Sequence, residues 1–197
     1  MTILGDREQQ AAPGKVDTQR LCKEVFGKQA KLLTLKKSYR STREIMDLAN
    51  RVAGVEGEEA FERHGKPVEY LLASGETEMV QELMKHLKEG QAAGQDTTAV
   101  LTRTWEEAQK LYFALKDHLP VNLLSSESSK MEKGIVITTF YLAKGLEFDS
   151  VHLAYVQKET YYSEHHRQIF YIAATRALHE LTLYGVGERS ELMVETV

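Results

Sequence analysis

A chain of 197 residues, 42% of them hydrophobic, can bury a sizeable core and is expected to form one compact domain. Its net charge of −4 is unusual for a protein that grips nucleic acid through one broad surface of its own. Either nucleic acid is not the partner, or the domain supplies part of a shared groove. The single cysteine, Cys22, leaves no internal disulfide, and no apolar run suggests a bilayer span or a signal peptide, so a cytoplasmic setting is expected. No metal site is expected either: the neighbours His165 and His166 project in different directions on a helix, with no cysteine or carboxylate cluster beside them.

In chain order, Leu32 to Leu35 reads as a strand, followed by a capping-box pattern at Ser41 and Glu44 and a helical stripe of Ile45, Leu48, Ala49 and Val52. Val68 to Leu72 is the next strand. Ser74 can cap the helix after it, whose stripe is Met79, Val80, Leu83 and Leu87. Ala99 to Leu101 is a strand, and Thr104 with Glu107 repeats the capping-box spacing before a face of Ala108, Leu111, Tyr112 and Leu115. Strands follow at Val121 to Leu124, Ile135 to Thr139 and Val151 to Val156, then a helix around Arg167 to Ala177 and a strand at Leu181 to Tyr184. This alternation predicts an α/β layer fold with a mainly parallel sheet flanked by helices. Such sheets carry binding loops at the carboxyl ends of their strands, so the informative residues are expected just after strands.

Four polar clusters stand out. Gly5-Asp6-Arg7-Glu8-Gln9 follows an apolar Ile3-Leu4 that looks like a strand without its beginning, which hints at a fragment. Ser38-Tyr39-Arg40-Ser41 lies at a helix mouth, where exposed amides and an arginine suit a phosphate and a tyrosine suits a base. The same residues also fit a plain capped helix with Arg40 solvated and Tyr39 packed over the domain edge. Thr138 to Asp149 links two strands and contains Lys144-Gly145, but Gly-x-x-x-x-Gly-Lys-Ser/Thr occurs nowhere in the chain, so the fold carries no P-loop of its own. Gln168 to Ala177 is an apolar helix ending in Thr175-Arg176. An arginine there could favour the helix C-terminus electrostatically or project toward a phosphate, and the local sequence leaves both open.

Taken together and in order, Gly-Asp-x-x-Gln, Tyr-Arg-Ser, Thr-x-x-x-Ala-Lys-Gly-Leu-Glu-Phe and Tyr-x-x-x-Thr-Arg-Ala resemble motifs III to VI of the UvrD/Rep/PcrA-type superfamily 1 helicases. The stretch Tyr141 to Asp149 is more similar to the helicase IV (HelD)-type branch. The resemblance implies a RecA-like fold, with residues 1–15 a remnant of a first RecA-like domain and 16–197 the second one. It also implies that the large inserted domain of many relatives is absent or minimal.

In that family, ATP and Mg2+ lie between two RecA-like domains, and the parent translocates along single-stranded DNA, with 3′→5′ polarity expected. Carried over by motif, Gln9 senses the γ-phosphate, Tyr39 stacks on adenine, and Arg40 contacts the γ-phosphate. Glu147 binds the ribose, and Arg176 stabilises charge on the transferring phosphoryl group. Thr139, Tyr141 and Lys144 fall in the DNA track. A histidine common in the third motif is replaced by Tyr141, and His165-His166 stand where the last motif has an acidic pair. The motifs that hold phosphates and Mg2+ in a first domain do not occur in the chain, so no tight nucleotide binding and no hydrolysis are expected of it alone. The implied partners are single-stranded DNA and an N-terminal RecA-like domain, with no membrane. An alternative parent is a HelD-like ATPase that acts on RNA polymerase rather than on duplex DNA.

Overall fold

The computed structural model describes residues 18–27, 33, 37–38, 40–54, 59–60, 63–127 and 133–193. In chain order these form α1 (Thr18–Phe26), β1 (Lys37–Ser38), α2 (Arg43–Ala53), β2 (Glu59–Ala60), β3 (Glu69–Ala73), α3 (Glu76–Ala92) and β4 (Thr97–Thr102). They continue with α4 (Trp105–Leu115), β5 (Val121–Leu123), β6 (Gly134–Thr139), β7 (Phe148–Leu153), α5 (Glu164–Ala174), β8 (Ala177–Val186) and a 3-10 turn at Glu191–Met193. The strand expected at Leu32 to Leu35 and the cluster Gly5 to Gln9 lie outside the described residues.

Six strands make one sheet in the order β3-β8-β7-β4-β6-β5, and every pair in it is parallel. β1 and β2 form a separate parallel pair. A parallel sheet must be covered on both faces, and the central strand shows why its sequence is continuously apolar. Ala99 and Leu101 of β4 face a core shared with Ile45, Leu48 and Val52 of α2 and Phe170 of α5. Val100 faces the opposite core, with Met79, Leu83 and Leu87 of α3 and Leu111 and Leu115 of α4.

The connection from β6 to β7 contains no helix. Residues 140–147 leave the carboxyl end of β6 and must reach the amino end of β7, a distance of roughly 20 Å for strands this long. One short segment therefore serves both ends of the sheet.

Of the three caps expected, one forms as read. Thr104 accepts from Glu107 N at 3.2 Å, and the Glu107 carboxylate accepts from Thr104 N at 2.9 Å. α2 begins instead after Thr42, whose side chain makes no cap bond; Ser41 donates to Ala177 O at 2.6 Å, and Glu44 serves residues 64 and 65. α3 begins after Gly75, and Ser74 donates from its backbone nitrogen and hydroxyl to Glu78. In both cases the serine lies one residue before the N-cap position and its hydroxyl is bound to another acceptor.

A polar chain runs through the interface of α3 with the sheet. The Tyr184 hydroxyl lies 2.7 Å from His86 Nδ1 and 2.9 Å from His152 Nδ1, and His152 Nε2 lies 3.3 Å from Ser150 Oγ. One hydroxyl has one proton, so it donates to one imidazole and accepts from the other. Burial, with the charge of His86 acting in the same sense, pushes the His152 pKa down to about 3. Burial likewise raises that of Tyr184.

Candidate functional site

The sequence-selected residues divide between the two ends of the sheet. Thr139 closes β6 at its carboxyl end, as expected. Its carbonyl accepts from Ala143 N at 3.0 Å and its hydroxyl from Leu142 N at 3.4 Å, which folds residues 140–145 into a turn. On that turn Tyr141 is 64% exposed, its ring edge-on to Phe140 with 6.4 Å between centroids, and Lys144 is exposed as well.

Glu147 and Arg176 depart from the expected placement. Each sits immediately before a strand, at the amino ends of β7 and β8, where Phe148 pairs with Ala177 and Phe148 N donates to Arg176 O at 3.0 Å. For Glu147 the helix-free β6–β7 connection brings this about, because it delivers its last residues to the opposite end of the sheet from its first; Arg176 is placed by the turn from α5 into β8.

Arg40 meets Glu147 there. Arg40 Nε lies 2.6 Å from Glu147 Oε1, with the two side chains 41% and 43% exposed. A pair this open to water contributes about 0–1 kcal/mol, so an incoming anion or hydroxyl can displace either partner at small cost. Arg176 is buried, 2% exposed. Its Nε donates to Ile172 O at 3.0 Å, Nη1 to Leu146 O at 3.3 Å and Nη2 to Thr175 Oγ1 at 3.3 Å. The first bond satisfies a carbonyl in the last turn of α5, so the electrostatic role at the helix end is realised. The second places the guanidinium one residue from Glu147. Gln9 and Tyr39 lie outside the described residues.

The segment Arg63–Gly65 joins these parts, and the sequence reading missed it. Arg63 Nη2 donates both to Arg40 O at 2.5 Å and to Leu178 O at 2.6 Å. Arg63 O accepts from Arg43 N at 2.9 Å. Glu44 Oε1 lies 2.9 Å from His64 Nδ1, and Glu44 Oε2 accepts from Gly65 N at 2.8 Å. Burial opposes ionisation of Glu44, but the bonds from His64, its own backbone and Gly65 outweigh it and hold the carboxyl at about 2. Gly65 packs against Thr42 so closely that a β-carbon would meet Thr42 Cγ2 at 2.5 Å.

His165 and His166 lie in the first turn of α5. His166 is buried, with its ring edge-on to Tyr162 at 4.7 Å between centroids and its Nδ1 accepting from Tyr162 N at 3.2 Å. Burial first, then the charges of Arg103 and His165, pushes its pKa down. Among the described residues, no group of three histidine, cysteine or carboxylate side chains is arranged to hold a metal ion, and no helix is long and apolar enough to cross a membrane.

Residues 134–184, from β6 into β8, match the family model described as UvrD-like helicase C-terminal domain. The chain is 31% identical to the C-terminal domain of a possible DNA helicase from Lactobacillus plantarum WCFS1, over 81% of this chain and 94% of that one, with a TM-score of 0.70. Fainter likenesses reach the C-terminal domain of the DEAD-box protein Dbp5 (16% identity, TM-score 0.44, 61% of this chain and 76% of that one). They also reach the arterivirus nonstructural protein 10 helicase in complex with DNA (9% identity, TM-score 0.43, 72% of this chain and 31% of that one). Both are too slight to bear on function. No curated protein sequence matches the chain. The fold and the match across nearly all of the Lactobacillus domain establish that this chain belongs to the family of UvrD-like helicase C-terminal domains.

Proposed function

We propose that the chain is the second RecA-like motor domain of an ATP-dependent DNA helicase or translocase, and that it completes a nucleotide site whose phosphate- and Mg2+-binding half belongs to another domain. The observation that carries this reading is the convergence of Arg40, Glu147 and Arg176 from three distant motifs at one end of the sheet. A half-exposed cation beside a half-exposed carboxylate fits a nucleotide. The guanidinium can take up a phosphate, and the carboxylate can accept from a ribose hydroxyl. Arg176 would act as the second cation. It now donates to neutral oxygens, so its engagement with a developing phosphoryl charge would require leaving them, which ties its release to nucleotide arrival.

The roles of Gln9 in sensing the γ-phosphate and of Tyr39 in stacking on adenine rest on the motif resemblance. The single-stranded DNA track would lie at the other end of the sheet, at Thr139, Tyr141 and Lys144. There the turn presents an aromatic face, and stacking on such a face suits any base. Because residues 140–147 run from that track to Glu147, a change at the nucleotide end has a direct covalent path to the DNA end. The absence of a large inserted domain is supported by residues 63–127, which are taken up by β3, α3, β4, α4 and β5, while the division into residues 1–15 and 16–197 rests on the motif resemblance.

The test is DNA-stimulated ATP hydrolysis by the full-length protein that contains this chain. Arg176→Ala is expected to lower kcat by about 10³-fold or more, the range for an arginine that stabilises the transferring phosphoryl group. The isolated chain is expected to be silent. Wild-type turnover by Arg176→Ala, or DNA-stimulated turnover by the isolated chain, would sink the reading.

A further inference from the structure

We infer that Arg63 is a positioning residue that sets the two proposed nucleotide-facing arginines relative to one another; this rests on the nucleotide reading given above. Arg40 and Arg176 come from segments 136 residues apart, and no regular ladder joins them. Among the described residues β1, which leads into Arg40, pairs only with β2, while Arg176 leads into β8 of the main sheet.

Among the described residues two side chains, Arg63 and Ser41, bridge the gap. A single nitrogen, Arg63 Nη2, takes both the carbonyl of Arg40 itself and that of Leu178, two residues beyond Arg176. The buried Ser41 hydroxyl takes the carbonyl of Ala177, the residue between them. Carbonyls at or beside the two arginines are thus held by side chains outside the proposed nucleotide-facing set.

The rest of the segment is built to keep Arg63 in place. Its carbonyl is bound by Arg43 N, Glu44 clamps the next two residues, and Gly65 leaves no room for a side chain over Thr42. Arg63 is half-buried, and its Nε is shielded from solvent without a hydrogen-bond partner. A buried donor left unsatisfied costs free energy that the two Nη2 bonds must offset. Such a tether suits a motor, because a displacement of about 1 Å between catalytic groups can cost on the order of 10²-fold in rate.

The experiment is steady-state ATP hydrolysis by the full-length protein at saturating single-stranded DNA, with Arg63→Ala, Arg63→Lys, Arg40→Ala, Arg176→Ala and the double variant Arg63→Ala/Arg176→Ala. Arg63→Ala is expected to lower kcat by about tenfold to a hundredfold while single-stranded DNA affinity stays at the wild-type value. Arg63→Lys, whose ammonium can still donate to both carbonyls, should recover most of the rate. The double variant should be no slower than Arg176→Ala, because a residue acting through Arg176 has nothing left to position. A purely structural role predicts multiplied losses and a rate that follows thermal stability instead.

If Arg63→Ala does not fold, Ser41→Ala replaces it, with the same non-additivity against Arg176→Ala expected. Wild-type turnover by Arg63→Ala, or multiplied losses in the double variant, overturns the positioning role while leaving the nucleotide reading intact. If neither Arg40→Ala nor Arg176→Ala slows hydrolysis, the nucleotide reading fails and the positioning role falls with it.

Discussion

Acidification should destabilise this domain through one buried histidine. His152 titrates at about 3 in the fold, whereas an exposed histidine titrates near ~6.5. Above the unfolded value both states are neutral and nothing is gained or lost. As the pH falls below it, the unfolded chain takes up a proton that the folded chain refuses, so stability declines until the folded value is reached. Linkage puts the loss from this residue at about 2 kcal/mol between pH 7 and pH 5, a large part of a typical ~5–15 kcal/mol. The Glu44 carboxylate, held at about 2, loses its contribution only below the usual carboxylate value near ~4.3, so the upper window belongs to histidine. The assay is urea unfolding at half-unit pH steps, followed by circular dichroism, for the wild type and His152→Asn. The substitution lowers the starting stability, so the slopes are compared: the wild type should fall more steeply by about 1.4 kcal/mol per pH unit near pH 5. Parallel curves would refute the argument, because His166, whose pKa is also lowered, titrates in both proteins.

Three further outcomes are expected. Thr104→Ala removes the hydroxyl that accepts from Glu107 N and should cost about 1 kcal/mol in urea unfolding, with Thr104→Ser restoring most of it. Gly185→Ala should destabilise the fold by about 1–3 kcal/mol, since its β-carbon would meet Val156 O at 2.5 Å and Leu72 Cδ2 at 2.9 Å; an unchanged thermal midpoint would contradict this close packing. Tyr141→Ala in the full-length protein should weaken single-stranded DNA binding by about 1–3 kcal/mol in fluorescence anisotropy while Tyr141→Phe does not, as stacking on an exposed ring requires.

The six strands of the main sheet were legible, though β1 and β2 were not, because both faces of a parallel sheet are covered, so Ala99-Val100-Leu101 had to be apolar without interruption. The cap of α4 was legible because both its partners lie within one turn. The identical pattern at Ser41 and Glu44 misled because the carbonyl that captures Ser41 lies 136 residues away, and no local rule weighs such a competitor. Arg40, Glu147 and Arg176 could be selected by motif, but not the end of the sheet on which they sit; that depends on a crossing connection with no helix. Arg63 gave no signal at all. Its acceptors are backbone carbonyls, which every residue type supplies alike, so nothing in the sequence marks them.

The position of β8 also governs the order in which the chain can fold. β3 pairs with β8 alone among the described residues, and β8 lies between β3 and β7. During synthesis β3 must therefore wait until residue 186 has emerged before it finds its strand partner. Until then two strand edges stand open, which invites pairing with another chain. Contacts between segments so far apart place folding in the slow range for a domain of this size. β8 thus acts as a keystone: β4 to β7 can pair among themselves, but β3 joins the sheet only through it.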